Sequence, residues 1–351
     1  MLFVKVVARH AESAKKALRK ANMLDNNASV KYNNGYVYFP LCNAALHAGK
    51  TPKNFIKSIK GAKLVRMKHS KRHEREGFEG TLKKILTASE AKGLARGYDL
   101  LGNIAIIEID DKLANKEKAI ANALIASNKN IKTVLKKAGP VHGVYRLRKL
   151  KYIAGEKTFV ARYRENGCTF VFDVRKVFFS NRLSYERSRL CNITADKERV
   201  MVMFAGVGPF AIEIAKRHKN ANVVAIELNR RAYEYMKGNI AINKVGNVKP
   251  VLGDVRKESM AYKRYADRIV MPMPKTSTLF LDQAFVVAKK HAFVHIYAFA
   301  PADAPFEDVR KKLAEHADEH GYKAKIVGER IVRPYSATEV EVVVDFEITK
   351  Q

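Results

Sequence analysis

The chain has 351 residues, and 66 Lys and Arg stand against 35 Asp and Glu, a formal net charge of +31. A hydrophobic fraction of 47% excludes a disordered chain, and no apolar run approaches the roughly 20 residues that span a bilayer. The charge far exceeds what solubility needs and points to a polyanion, with nucleic acid as the expected partner. A membrane is not expected, because no basic amphipathic helix with a broad apolar face stands out.

In chain order, FVKVVA reads as a strand, ESAKKALRKANML as a helix and VKYNNGYVYFPL as a hairpin, with Asn33-Asn34-Gly35 between alternating runs. Residues 1–62 are thus expected to form a small α/β domain. Residues 63–77 (KLVRMKHSKRHEREG) are the densest basic cluster and read as a linker or exposed strand. Residues 78–185 are expected to form a middle α+β domain that binds RNA. Within it, Thr87 and Ser89 open a helical segment, GNIAIIEI is an apolar strand, and KEKAIANALIAS is a helix. Strands follow in GVYRLRKLKYIAG, KTFVARYRENG and CTFVFDV, leading into RKVFFSNRLSYERSRL. Tyr145, Tyr163, Phe178 and Phe179 interleave there with Arg146, Arg148, Arg164 and Arg182, a mixture able to stack on bases and grip phosphates. For most of these aromatics, packing into the domain core is the stronger expectation.

Residues 186–351 are expected to form the cofactor domain. Val200–Phe204 is an apolar run ending in a turn with Gly206 and Gly208, followed by a helical pattern and a second apolar run that ends in Glu227. Glycines let backbone approach a ligand, a helix N-terminus offers free N–H groups, and an acid at the second strand end can bind ribose hydroxyls. The spacing also satisfies the dinucleotide fingerprint. Some 200 residues precede the motif, which favours S-adenosylmethionine over NAD. VKPVLGDVR brings Asp254 to a third strand end, where it can meet an adenine amino group, and DRIVMPMPK brings an acceptor-facing loop to a fourth. Beyond these come helix TLFLDQAFVVAKK, strand AFVHIYAFA, helix FEDVRKKLAEHADEHG and the runs KAKIVGERIV and EVEVVVDFEIT, which can pair antiparallel at the sheet edge. Cys42, Cys168 and Cys191 form neither a disulfide framework nor a metal-ligand pattern, so no metal is expected. MLFVKVVARH is too short and too soon polar for a secretory signal, and a cytoplasmic monomer with no obligate protein partner is expected.

Over almost its full length the chain resembles the archaeal and eukaryotic tRNA (guanine-37-N1) methyltransferases. The resemblance is carried by GYDLLGNIAIIEI, GVYRLRKLKYIAGE, RENGC, VFFSNRLSYERSR, MFAGVGPFAI, AIELN, KGNIAINKV and LGDVR, in that order. It implies a class I (Rossmann-like) methyltransferase domain preceded by two smaller α+β domains. A sheet of six parallel-type strands with an antiparallel final strand is expected, as is methyl transfer from S-adenosylmethionine to guanosine 37 of the anticodon loop. By resemblance Glu186 is the base that takes the N1 proton, Arg146 stabilises charge growing on O6, and Arg187 belongs to the same catalytic block. Phe204, Gly206, Gly208 and Pro209 would wrap the methionine part, Glu227 the ribose and Asp254 the adenine. Phe178, Phe179, Pro272 and Pro274 would face the base, which must leave its stack to react.

Two positions depart from the family. Its usual acid at the first strand end is Val202 here, and its Asn-x-Pro acceptor loop reads Pro272-Met273-Pro274. Proline offers the base neither a polar side chain nor an N–H, which suits a larger tricyclic base. An archaeal branch with proline there also methylates carbon 7 of 4-demethylwyosine at the same tRNA position, and both reactions are expected of this chain. The competing expectations are aminocarboxypropyl transfer to 4-demethylwyosine and a tRNA-binding protein that has lost catalysis.

Overall fold

The computed structural model describes residues 1–25, 28–33, 35–42, 52–67, 77–94 and 97–351. The chain divides into two compact units, Met1–Gly80 and Thr81–Gln351. In the first, strands β1 (Leu2–Val7), β2 (Lys31–Asn33), β3 (Tyr36–Pro40) and β4 (Lys63–Arg66) form an antiparallel sheet in the order β2-β3-β1-β4. Alternation buries Val4, Val6, Val37 and Phe39 on one face, against Leu18 of helix α1 (Ala11–Lys20) and Ile56 of α2 (Pro52–Lys57). Asn33 pairs with Tyr36 across the expected hairpin turn, while Asn34 lies outside the described residues. The basic run at 63–77 begins as edge strand β4 on β1, and its residues 68–76 lie outside the described residues.

The second unit opens near α3 (Phe78–Ile85) and α4 (Ala88–Gly93). Thr87 caps α4 in a capping box: its side chain accepts from Glu90 N–H, and its own N–H donates to the Glu90 carboxylate. Strands β5 (Tyr98–Leu101), β6 (Ile104–Ile107), β7 (Thr133–His142) and β8 (Leu147–Gly155) form a sheet in sequence order, β6 and β7 being parallel because α5 (Glu117–Ser127) crosses between them. Next come the hairpin β9 (Val160–Glu165) and β10 (Cys168–Asp173), and then α6 (Ser184–Ile193).

The large sheet follows. Its strands are β11 (Arg199–Val202), β12 (Asn222–Glu227), β13 (Val248–Leu252), β14 (Ala266–Met271), β15 (Ala288–Pro301), β16 (Tyr322–Pro334) and β17 (Glu339–Lys350). Between them lie α7 (Pro209–Arg217), α8 (Arg230–Asn243), α9 (Val255–Glu258), α10 (Leu281–Val287) and α11 (Glu307–Glu319). The order is β13-β12-β11-β14-β15-β17-β16, with β17 antiparallel to both neighbours. The remaining strands run parallel, the expected methyltransferase topology. Strand order reverses between β11 and β14, which opens a crevice beyond their C-terminal ends.

One expectation needs correction. Helix TLFLDQAFVVAKK stops at Val287, because Ala288 turns extended and pairs with Ala266, so the lysines start β15. The second unit runs from Thr81 to Gln351. One hydrophobic cluster joins Ile104 and Leu135 of the middle sheet, Phe170 and Phe172 of the hairpin, and Val200, Ala211 and Tyr297 of the large-sheet layer. The hairpin is also tied to α8: the Asn239 and Asn243 side chains accept from the N–H groups of Val171 and Thr169, each at 2.8 Å. Among the described residues no helix is long and apolar enough to cross a membrane.

Candidate active site

The glycine turn leaves β11 with three residues in the left-handed region, Phe204 (φ 56°), Gly206 (φ 59°) and Gly208 (φ 87°). Only glycine takes that region without cost, so a phenylalanine there is strain held by its surroundings; its ring packs edge-on against Phe280 at 4.8 Å. The two glycines serve different ends. A β-carbon on Gly208 would come within 2.9 Å of Met236 and 3.0 Å of Ile212, so tight packing excludes one. A β-carbon on Gly206 would meet only the Phe178 carbonyl, at 4.0 Å, and that side of the turn is open to a ligand. Pro209 follows as the first residue of α7, where its missing N–H costs nothing.

Glu227, at the end of β12, accepts from Gly206 N–H and Asn229 N–H, both at 2.7 Å. Burial raises its pKa, and these backbone donors oppose the shift. Asp254 caps α9 by accepting from Arg256 N–H at 2.8 Å and stays partly exposed. An open-sided glycine, an acid at the second strand end and a carboxylate at the third fit the amino-acid, ribose and adenine parts of S-adenosylmethionine. Val202 is fully buried in the core and offers no polar contact.

Arg146 adopts φ 53° and holds its guanidinium 4.8 Å from the Phe178 ring and 5.7 Å from the Phe299 ring. Burial pushes its pKa down. The carbonyl of Pro274 accepts from Phe299 N–H at 2.9 Å, and the Ser277 hydroxyl donates to the carbonyls of Met271 and Met273, which pins the loop carrying Pro272 and Pro274. Glu186 is buried at 1% exposure. Its Oε2 accepts from Arg189 Nε at 2.9 Å and from the Tyr297 hydroxyl at 3.1 Å. Its Oε1 makes no hydrogen bond, and Arg330 Nε lies 3.6 Å away.

The family model described as the TRM5/TYW2 methyltransferase domain matches residues 161–327, the TYW2 N-terminal domain 78–158 and the tRNA methyltransferase 5 N-terminal domain 4–45. The chain is 33% identical over 350 residues, 99% of both chains, to the tRNA (guanine(37)-N(1))-methyltransferase Trm5b of Pyrococcus abyssi. The chain belongs to the TRM5/TYW2 methyltransferase family. It is also 32% identical over 296 residues, 68% of its own length and 96% of the relative's, to Taw22 of Nanoarchaeum equitans, a tRNA (guanine(37)-N(1))/4-demethylwyosine(37)-methyltransferase. To the tRNA(Phe) (4-demethylwyosine(37)-C(7)) aminocarboxypropyltransferase of Methanocaldococcus jannaschii it is 32% identical, over 71% of its length and 96% of the relative's. The crystal structure of Pyrococcus abyssi Trm5b superposes with a TM-score of 0.73 at 34% identity, covering 99% of both chains. A complex of aTrm5 with tRNALeu superposes at 0.70 and 28%, again over 99% of both. Methanocaldococcus jannaschii TYW2 in complex with AdoMet superposes at 0.58 and 28%, covering 73% of this chain and 100% of that one.

Within this TRM5/TYW2 fold, two of the expected site residues are engaged inside the core. Arg187 is buried, bound at 2.7 Å and 2.8 Å to Glu165, 3.4 Å from Glu213 and donating to the Ser180 carbonyl at 3.0 Å, so its guanidinium is taken up by protein partners. Phe179 stacks on Phe172 at 4.6 Å inside the core and has no free face for a base. Phe178 is half-buried, with the Arg146 guanidinium 4.8 Å from its ring. Arg148 and Arg182 both pair with Asp99. Sequence reasoning does not reach Asn239, whose amide also donates to the Val207 carbonyl inside the glycine turn at 3.0 Å. Its signal was two asparagines at helical spacing, Asn239 and Asn243, on the apolar side of α8. Tyr297 gives no signal, since it reads as one more core aromatic in an apolar strand.

Proposed function

We infer that this chain transfers a methyl group from S-adenosylmethionine to N1 of guanosine 37 in tRNA. The observation that carries the reading is the Arg146 guanidinium, which lies 4.8 Å from the Phe178 ring and 5.7 Å from the Phe299 ring. The Phe178 carbonyl is the protein atom nearest the open side of Gly206, and Phe299 N–H is bonded to the Pro274 carbonyl, which supports a place for Arg146 between the cofactor turn and the acceptor loop. The match over 99% of both chains to Trm5b favours methyl transfer over aminocarboxypropyl transfer, whose curated relative matches 71% of this chain.

S-adenosylmethionine supplies an electrophilic methyl group. Guanine N1 carries a proton at neutral pH, so a base must remove it as the new bond forms. Glu186 fits this role: Tyr297 and Arg189 hold Oε2, while Oε1 accepts no hydrogen bond and has Arg330 Nε beside it at 3.6 Å. Because Glu186 is buried, the base must enter beyond the surface or a water must carry the proton. Arg146 supplies positive charge for O6 from a partly desolvated position, where such an interaction is strongest. Phe178 and Phe299 fix that guanidinium and offer ring faces to a flipped base. The basic first unit and the middle sheet are read as the surfaces that hold the tRNA, and the chain as a cytoplasmic monomer.

Pro272 favours a second reaction at the same site, methylation of carbon 7 of 4-demethylwyosine, because the loop presents no amide to guanine's Watson–Crick edge. Transfer of tritiated methyl to a tRNA transcript with guanosine 37, compared with one carrying adenosine 37, tests the main reading. Label is expected only on the first; equal labelling of both would overturn it.

A further inference from the structure

In the second unit, α10 and α11 meet through a histidine–carboxylate cluster that the proposed methyl transfer does not use. Asp282 Oδ1 lies 2.8 Å from His316 Nδ1 and 3.0 Å from His320 Nε2. Glu319 Oε2 lies 3.6 Å from His316 Nδ1. Among the described residues this is the one group of three His, Cys, Asp or Glu side chains whose ligand atoms all fall within 4.8 Å of one another. His316 and His320 stand four residues apart at the end of α11, the spacing by which helices present two imidazoles to zinc. The His320 ring is further fixed by stacking on Phe285 of α10, at 5.4 Å and 8° between planes.

We propose that Asp282, His316 and His320 bind one divalent transition-metal ion of the zinc class, with water in the remaining position. Tetrahedral zinc with bonds of about 2.0–2.1 Å sets its ligand atoms roughly 3.3 Å apart. The Asp282 oxygen already lies 2.8 Å and 3.0 Å from the two imidazole nitrogens, and all three ligand atoms fall within 4.8 Å of one another. Two imidazoles and a carboxylate form a donor set suited to zinc or cobalt rather than to magnesium or calcium, which prefer all-oxygen sites.

The ion would clamp α10 to α11. Asp282 sits two residues after Phe280, whose ring packs on Phe204 of the cofactor turn. The clamp therefore anchors the far end of the segment that follows the Pro272–Pro274 loop. The cluster takes no part in the proposed chemistry, so the site and the methyl-transfer reading can fail independently.

The test is titration of the EDTA-treated full chain with Co²⁺, followed by visible absorption, and thermal melting with and without Zn²⁺. One equivalent of Co²⁺ with intense tetrahedral bands, and a melting temperature raised by several degrees in saturating Zn²⁺, are expected. Asp282→Asn, His316→Ala and His320→Ala should each fold as the parent does without metal and lose both signals. Absence of the bands in the parent would overturn the proposal. So would bands that survive in all three variants, which would place the ion elsewhere, for instance on the cysteines.

Discussion

Arg187 is the residue whose role differs most between sequence and structure, and its removal should cost stability rather than chemistry. Its guanidinium holds two buried carboxylates, Glu165 at 2.7 Å and 2.8 Å and Glu213 at 3.4 Å, and donates to the Ser180 carbonyl at 3.0 Å. One cation between two buried acids leaves a charge deficit, which Glu213 meets by holding a proton: burial, helped by Glu165, pushes its pKa up to about 8. Arg187→Met strips the cation from Glu165, and breaking a buried pair from one side typically costs ~3–5 kcal/mol. Against a total of about 5–15 kcal/mol for a folded domain, that is a large loss. Urea melts of the parent, Arg187→Met, Glu165→Gln and the double variant would measure it. The double variant should recover part of the loss, with a coupling of about 1–3 kcal/mol. Methyl transfer per folded molecule should stay within a few-fold at a temperature where the variant is folded. An unchanged urea midpoint together with a hundredfold fall in kcat would refute the structural role and restore a catalytic one.

Three further outcomes follow from the geometry. The folded chain binds the extra proton of Glu213 between its ordinary 4.5 and about 8, so stability should fall as pH rises through that window, by on the order of a few kcal/mol; Glu213→Gln should flatten the slope in urea melts across the same pH range. Gly206→Ala meets no protein atom closer than 4.0 Å, so its melts should show only the ~1–2 kcal/mol cost of a left-handed alanine. Calorimetric affinity for S-adenosylmethionine should nonetheless drop more than tenfold, and unchanged affinity would remove the turn from the cofactor site. Pro272→Asn should shift competing tRNA substrates toward guanosine 37 over 4-demethylwyosine; an unchanged product ratio would end the case for that loop.

Much of the large sheet was legible because its strands are continuous apolar runs that alternate with helical patterns, and because turn chemistry marks their ends. The glycine turn, Glu227 and Asp254 could be read for the same reason: strand ends place them. Tertiary pairing was not legible. Glu165, Glu213 and Arg187 lie in three separate sequence blocks, and nothing local says that they meet. Phe178 and Phe179 are adjacent and chemically identical, yet one is half-buried under Arg146 and the other stacks on Phe172 in the core, a choice that tertiary packing makes. The shared core across residue 185 was hidden because the β9–β10 hairpin looks complete by itself, and only Asn239 and Asn243 of α8 reveal where its second face goes. His316 and His320 carried no metal expectation, because the carboxylate they share, Asp282, comes from another helix.

The most direct measurement is nucleoside mass spectrometry of tRNA-Phe after reaction with this chain and S-adenosylmethionine, using guanosine 37 or 4-demethylwyosine 37 as substrate. The account predicts 1-methylguanosine at position 37 of the first and a carbon-7 methyl group on the second. An aminocarboxypropyl adduct, or position 37 left unmodified in both, would contradict it.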